Sequence, residues 1–218
     1  QALPNTLLLT LSSIVTTILI SIPLGIWSAV KQNKITDYVI RVCTFIGNAM
    51  PNFFIALLLI YVFALQLHWF PVMGNNGFIS IILPTLTLAL AMSAKYTRQV
   101  RATVLDELNK DYVIGARARG IKERTIVLAH VLKSSMLTIV TLLGLSLGSL
   151  LGGTAIVESI FMWPGVGKLA VDAISSRDYQ VIQVYVIWMA IIYVAINLIT
   201  DIVYHYLDPR IRIQGEEG

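Results

Sequence analysis

The residue types that usually carry catalysis are few in this sequence and widely spaced. His68, His130 and His205 are the three histidines, and their spacing does not suit a helical metal site. Residues 165–168 read Gly-Val-Gly-Lys, which is too short for the GxxxxGK[ST] loop that cradles nucleotide phosphates. The sequence therefore predicts no catalytic residue, no metal site and no cofactor bound by this chain itself.

A basic stretch at residues 95–133 is the strongest candidate for function. It holds nine of the sixteen Lys and Arg residues and contains the sequence Gly-Ala-Arg-Ala-Arg-Gly at 115–120. Acids at Asp106, Glu107 and Asp111 favour the start of a helix. Ala116 and Gly120 are four residues apart, so we expect them to share one helical face that a partner could approach closely. An ordinary solvated loop is the alternative.

The composition indicates a membrane protein. The 218 residues are 56% hydrophobic and 13% charged, whereas soluble domains carry about 25% charged residues. Several apolar runs reach the roughly 20 residues that a helix needs to cross a bilayer. The net charge is +4, and the basic residues lie at the ends of these runs. This distribution predicts basic loops on one side of a membrane and no binding of nucleic acid.

We predict an all-α membrane protein with a single transmembrane domain over residues 1–218. The five expected spans are residues 4–30, 38–65, 78–104, 134–157 and 179–204. Residues 105–133 form a cytoplasmic region between the third and fourth spans, and the helix of the third span is expected to continue beyond Ala94. Residues 158–178 are too long for a simple turn and have a Pro-Gly break, so they predict a re-entrant or interfacial external segment.

The positive charges set the expected orientation. Fourteen Lys and Arg residues fall on one side, and only Lys168 and Arg177 fall on the other. The positive-inside rule makes the first side cytoplasmic, which puts the N-terminus outside and the C-terminus inside. An external N-terminus without a signal sequence leads us to expect a sixth span before residue 1.

Polar residues inside the expected spans are rare. Asn48, Pro51 and Asn52 lie in the second span, where they could line a pathway or satisfy backbone groups freed by the proline. Ion-coupled carriers usually keep ionisable groups within the membrane, and Asp201, near the cytoplasmic end of its span, is the nearest candidate here. An ion-coupled secondary transporter is therefore the weaker alternative.

Four stretches carry a resemblance to a known family. They are residues 50–54 (Met-Pro-Asn-Phe-Phe) with 68–74 (His-Trp-Phe-Pro-Val-Met-Gly), residues 83–86 (Leu-Pro-Thr-Leu) with Arg98, Arg101 and 111–120, residues 158–167 (Glu-Ser-Ile-Phe-Met-Trp-Pro-Gly-Val-Gly), and residues 207–212 (Leu-Asp-Pro-Arg-Ile-Arg). In this order they resemble the permease subunits of binding-protein-dependent ABC importers, in the branch for dipeptides, oligopeptides and nickel or other metal chelates. The broad family's motif, Glu-Ala-Ala followed by three residues and Gly, keeps only Ala116 and Gly120 here.

The resemblance implies an ATP-driven importer in the bacterial cytoplasmic (inner) membrane. The expected partners are a second, different permease chain, two cytoplasmic subunits that bind ATP and Mg²⁺, and an external solute-binding protein that delivers a short peptide or a metal chelate. Two sets of residues are implied to have roles. The coupling set that contacts the ATPase is Asp111, Tyr112, Ala116, Arg117, Ala118, Arg119 and Gly120, and the external gate set is Glu158, Phe161, Trp163, Pro164, Gly165 and Gly167.

Overall fold

A computed structural model describes residues 2–72 and 77–207, and within these ranges the chain is helical and contains no strand. The helices are α1 Ala2–Val30, α2 Ile35–Ala49, α3 Asn52–Leu59, α4 Ile82–Leu108, α5 Asp111–Ala118, α6 Glu123–Thr125, α7 Leu132–Ile160, α8 Val166–Ser176 and α9 Tyr179–Leu207. A π-helical segment, Ile60–Gln66, continues α3, and a second one, Ile126–Val131, joins α6 to α7. A 3₁₀ turn at Gly77–Ile79 precedes α4.

The all-helical class is confirmed, and within the described ranges two helices are long and apolar enough to cross a membrane. They are α1 and the Tyr179–Ile202 part of α9, and the bent pair α2 and α3 would supply a third span. The five spans remain a prediction. As expected, α4 continues past Ala94 and ends at Leu108, after its apolar residues have given way to Lys95 and Arg98.

Among the described helices, α1 and α4 share the most extensive interface. The buried face of α1 is a stripe of small residues at intervals of three or four, namely Thr6, Thr10, Ser13, Thr17, Ser21, Gly25 and Ser28. A Cβ on Gly25 would lie 2.6 Å from the side chain of Val100. Apolar contact gives little net gain between helices in lipid, so close packing of small residues is the main source of attraction. The sequence of α1 therefore specifies which face meets α4.

Residues 38–65, predicted as one span, form two helices that meet at an angle of 103°. Pro51 lacks a backbone N–H, and its ring disfavours the helical conformation in the residue before it. Met50 is accordingly extended, with ψ 129°, and Pro51 follows with ψ 145°. The predicted second span is therefore broken at Pro51, and its extent over residues 38–65 remains a prediction.

Two clusters of buried apolar residues lie toward opposite ends of the α1–α4 pair. One includes Leu9, Leu88 and Trp163, and it holds the segment between α7 and α8. The other includes Val104, Ala116 and Ile126, and it holds α5. The two segments that the sequence marked as functional are therefore each fixed to the same central pair of helices.

Candidate functional site

The α5 helix ends in a glycine-dependent hydrogen-bond pattern. Gly120 has a positive φ of 75°, and its N–H donates to the carbonyl of Arg117 at 2.9 Å. The N–H of Ile121 donates to the carbonyl of Ala116 at 3.2 Å. These two bonds define a Schellman motif, which requires a left-handed residue at the position that Gly120 occupies.

The expectation that Ala116 and Gly120 form one open helical face is therefore wrong. Ala116 is only 3% exposed and packs within the chain's own core. Gly120 lies beyond the helix end at Ala118. Both residues shape and seat α5, and they do not present a shared surface to a partner.

The exposed face of α5 consists of other residues. Tyr112 is 38% exposed and Ile114 is 57% exposed. Ala118 and Arg119 are also exposed, and there is open space where a Cβ on Gly115 would lie. On this face the apolar side chain of Ile114 lies beside the small residues Gly115 and Ala118, and the cation of Arg119 lies at the edge.

Three contacts hold α5 in place. Val113, which is fully buried, packs with Val104 of α4 in the second core cluster. The hydroxyl of Tyr112 donates to Glu107 Oε2 at 3.0 Å. Arg117 donates to both carboxylate oxygens of Glu123, at 2.6 and 3.0 Å. The Arg117 guanidinium thereby holds the pKa of Glu123 below its ordinary value.

On the other side of the molecule, the Glu158 carboxylate caps the start of α8. Glu158 is fully buried, and its Oε2 accepts a hydrogen bond from the backbone N–H of Lys168 at 2.9 Å. Its Oε1 accepts one from Thr6 Oγ1 at 2.8 Å. The same Thr6 oxygen accepts from the N–H of Val166 at 2.8 Å. A carboxylate at a helix N-terminus satisfies unpaired amides and opposes the positive end of the helix dipole.

Glycines let the backbone wrap closely around this carboxylate. A Cβ on Gly165 would overlap the Glu158 carboxylate, and one on Gly167 would lie 2.6 Å from Ala155 Cα. Trp163 Nε1 donates to the carbonyl of Asn5 at 3.0 Å. The amide of Asn5 donates in turn to the carbonyl of Pro164 at 2.9 Å. The segment is thus hydrogen-bonded to the N-terminal turns of α1.

The structure brings the predicted external residues together. Phe161 is buried in the first core cluster, with Trp163, directly after the helix that carries Glu158. The sequence analysis missed Thr6 and Asn5, which complete the cluster from 150 or more positions away. The available sequence signal was the presence of these two polar residues at the start of the apolar helix α1. We call this arrangement the external lock, after the side of the membrane on which the sequence predicts it to lie.

The polar residues of the second predicted span lie at the surface of the α2–α3 bend. Asn48 and Pro51 are exposed and Asn52 is partly exposed. The carbonyl of Pro51 accepts from the N–H groups of Phe54 and Ile55. Within the described part of the chain, neither asparagine side chain hydrogen bonds to the backbone at the bend. The backbone-satisfying alternative therefore has no support, and a role in lining a pathway remains a prediction.

A buried ion pair was also missed. Asp37 of α2 is fully buried and accepts two hydrogen bonds from Arg101 of α4, at 2.7 and 2.8 Å. Ser28 Oγ donates to the same carboxylate at 2.6 Å, and the N–H of Asn33 does so at 3.0 Å. The carboxylate is thereby fully hydrogen-bonded. The sequence signal for this ion pair was Asp37 itself, an isolated acid in the otherwise basic region after the first span.

Parts of two resemblance motifs lie outside the described residues. Residues 73–74 and 208–212 of the resemblance motifs are outside the described ranges. Among the described residues, no group of three or more His, Cys, Asp or Glu side chains could hold a metal ion.

The chain belongs to the family described as binding-protein-dependent transport system inner membrane component, which matches residues 21–213. It is 44% identical over 219 aligned residues to the oligopeptide transport system permease protein AppB of Bacillus subtilis (strain 168), covering 96% of this chain and 69% of AppB. It is 40% identical over 207 residues to the glutathione transport system permease protein GsiC of Escherichia coli (strain K12), covering 95% of this chain and 68% of GsiC.

Solved structures share the fold. An inward-facing form of the MetNI methionine ABC transporter superposes with a TM-score of 0.78 at 16% identity, over 95% of this chain and 94% of the matched chain. An amino acid ABC transporter with histidines gives 0.66 at 21% identity, over 96% and 92%. Family, relatives and fold agree on one class: this chain is a permease subunit of an ABC importer.

Proposed function

We propose that this permease imports short peptides and that α5 couples it to a cytoplasmic ATPase. The observation that carries the coupling assignment is the exposed face of α5 at Tyr112, Ile114, Ala118 and Arg119. This face leaves an apolar side chain in water, although the opposite face of the same short helix is fully packed. A groove on a soluble partner would bury Ile114 and accommodate the flat surface at Gly115.

The anchoring of α5 explains how movement of the ATPase would reach the membrane helices. Val113 and the Tyr112–Glu107 hydrogen bond fix α5 to α4. The Asp37–Arg101 pair then fixes α4 to the first turn of α2. Displacement of α5 would therefore move α1, α2 and α4 together, as in rigid-body alternating access. The pathway residues are proposed to include Asn48, Pro51 and Asn52.

The external lock gives the same helices a second role on the far side. Glu158 and Thr6 tie α8 to the beginning of α1, while α1 packs along α4. We assign the lock to the external gate, facing a solute-binding protein. On this proposal the N-terminal end of α1 would be outside and α5 would be in the cytoplasm, which is the orientation that the charge distribution predicts.

The substrate proposal rests on the relatives. AppB is named for oligopeptide transport and GsiC for glutathione transport, and both match nearly the whole of this chain. A short peptide delivered by a binding protein is therefore our first choice, with a nickel or other metal chelate as the alternative. Two permease chains and two ATPase subunits would complete the assembly. Comparing uptake of a tripeptide with that of a nickel chelate, in vesicles carrying the whole transporter, decides between them.

The coupling assignment is tested by Ile114→Asp. We expect the variant subunit to insert normally but to lose co-purification with the ATPase and ATP-dependent uptake. Ile35→Asp is the matched control, because Ile35 is 83% exposed and lies on the same proposed side. Wild-type association of the ATPase with Ile114→Asp would refute the docking face. Uptake driven by an ion gradient without ATP would instead support the secondary transporter.

A further inference from the structure

A cleft between α2 and α4 is lined by three arginines. Its lining residues are Tyr38, Arg41, Val42, Phe45, Arg98 and Arg101, and its volume is about 440 Å³. The four α2 residues follow an i, i+3, i+4, i+7 pattern, so they form one face of that helix. Arg98 and Arg101 are likewise one turn apart on α4. Two aligned helix faces therefore place their cations in one space.

The cleft keeps a net positive charge. Arg101 is paired with Asp37, whose carboxylate already accepts four hydrogen bonds. Arg41 lies over the ring of Tyr38, with its Cζ 5.7 Å from the ring centroid. Among the described residues, neither Arg41 nor Arg98 makes a salt bridge. Two guanidinium groups thus remain available to an anion that comes from outside the chain.

We propose that this cleft binds the phosphate of an anionic phospholipid headgroup. Guanidinium groups match phosphate oxygens through paired N–H donors. Basic pockets between membrane helices on the cytoplasmic side suit such headgroups, because that leaflet carries anionic lipid. The proposal depends on the orientation given above and not on the transported solute.

The apolar residues around the cleft favour lipid over a soluble anion. Val39, Val42, Phe45 and Ile46 expose more than half of their surface on α2. Val42 and Phe45 line the cleft itself, beside the arginines. A phospholipid would place its phosphate on Arg41 and Arg98 and its acyl chains along this surface. Free phosphate would use only the arginines.

The site can be tested with the whole transporter in nanodiscs of phosphatidylcholine that contain a photoactivatable phosphatidylglycerol. We expect labelling of peptides from α2 and α4. The Arg41→Gln/Arg98→Gln variant should weaken labelling by about fivefold for each arginine removed. The control, Lys34→Gln/Arg124→Gln, removes the same charge on the same proposed side from exposed residues outside the cleft, and it should label like the wild type.

Three outcomes would overturn the proposal. An equal loss of labelling in the control would mean general attraction to the surface. Displacement by inorganic phosphate or a short peptide would identify a soluble-anion site. A cross-link from a cysteine at Phe45 to the second permease chain, without lipid labelling, would show that protein fills the cleft. If the double variant does not assemble, the single variant Arg41→Gln can be labelled instead. Arg41 is exposed, so we expect this change to leave assembly intact. Transport is measured in a separate assay, so an error in the proposed substrate would not change the lipid-labelling result.

Discussion

Asp37 and Arg101 lie 64 positions apart in the sequence, yet both carboxylate oxygens of Asp37 accept hydrogen bonds from the Arg101 guanidinium, at 2.7 and 2.8 Å. Paired bonds of this kind fix direction as well as distance. The aspartate is fully buried, and the arginine side chain is 19% exposed. The pair therefore joins the first turn of α2 to the last two turns of α4, which ends at Leu108.

We predict that Asp37→Asn destabilises the subunit by about 3 kcal/mol, because removing one partner leaves the other charge largely buried and unpaired. Thermal unfolding of the purified transporter in detergent measures the effect. Glu123→Gln is the control, because both side chains of its pair with Arg117 are about half exposed, at 51% for Glu123 and 45% for Arg117. Exposed pairs contribute at most about 1 kcal/mol.

The double variant Asp37→Leu/Arg101→Met refines this prediction. If the loss in Asp37→Asn comes from an uncompensated charge, removing both charges should restore part of the stability. A double variant less stable than Asp37→Asn would show that the hydrogen bonds from Ser28 and Asn33 matter more than the ion pair.

Gly165→Ala should weaken the external lock, since the added Cβ would overlap the Glu158 carboxylate. We expect a loss of about 1–3 kcal/mol, the usual cost of forcing extra volume into a packed site. Gly115→Ala adds the same methyl group where there is open space. It should be neutral or stabilise α5 by about 0.5–1 kcal/mol, because glycine is unfavourable inside a helix. Equal effects of the two changes on Tm would contradict this account.

Gly120→Ala should cost about 1–2 kcal/mol through backbone strain, because its φ of 75° is unfavourable for a residue with a Cβ. Gly120→Asn should cost less, since asparagine tolerates the left-handed conformation at helix ends. A Cβ at this position would have no neighbour within 4 Å, so steric contact is not the cause. Unfolding in detergent ranks the three proteins, and equal stability of Ala and Asn would argue against the strain.

Glu123→Gln should lower the stability by less than about 1 kcal/mol, because the Arg117–Glu123 pair is about half exposed. Arg117 lowers the pKa of Glu123 in the folded state. The contribution is therefore present above the ordinary carboxylate pKa and is lost as the pH falls through the lowered value. A difference between wild type and Glu123→Gln that grows on acidification would contradict this sign.

The helical membrane class, the family and the two functional segments could be predicted from the sequence alone. These follow from local information: apolar run lengths, the position of Lys and Arg, and short motifs such as residues 158–167. It also identified Ala116 and Gly120 as special residues. The sequence did not reveal the reason for either residue. Gly120 is required for its left-handed φ, and Ala116 packs in one cluster with Val104 and Ile126.

Contacts between residues far apart in the sequence could be identified only from the packing of the helices. Thr6 reaches Glu158 across 152 positions, and Asp37 reaches Arg101 across 64 positions because α2 packs against α4. Which face of a short helix such as α5 stays open also depends on what packs behind it. The sequence lists the donors and acceptors, but the distances between them depend on how helices far apart in the chain pack together.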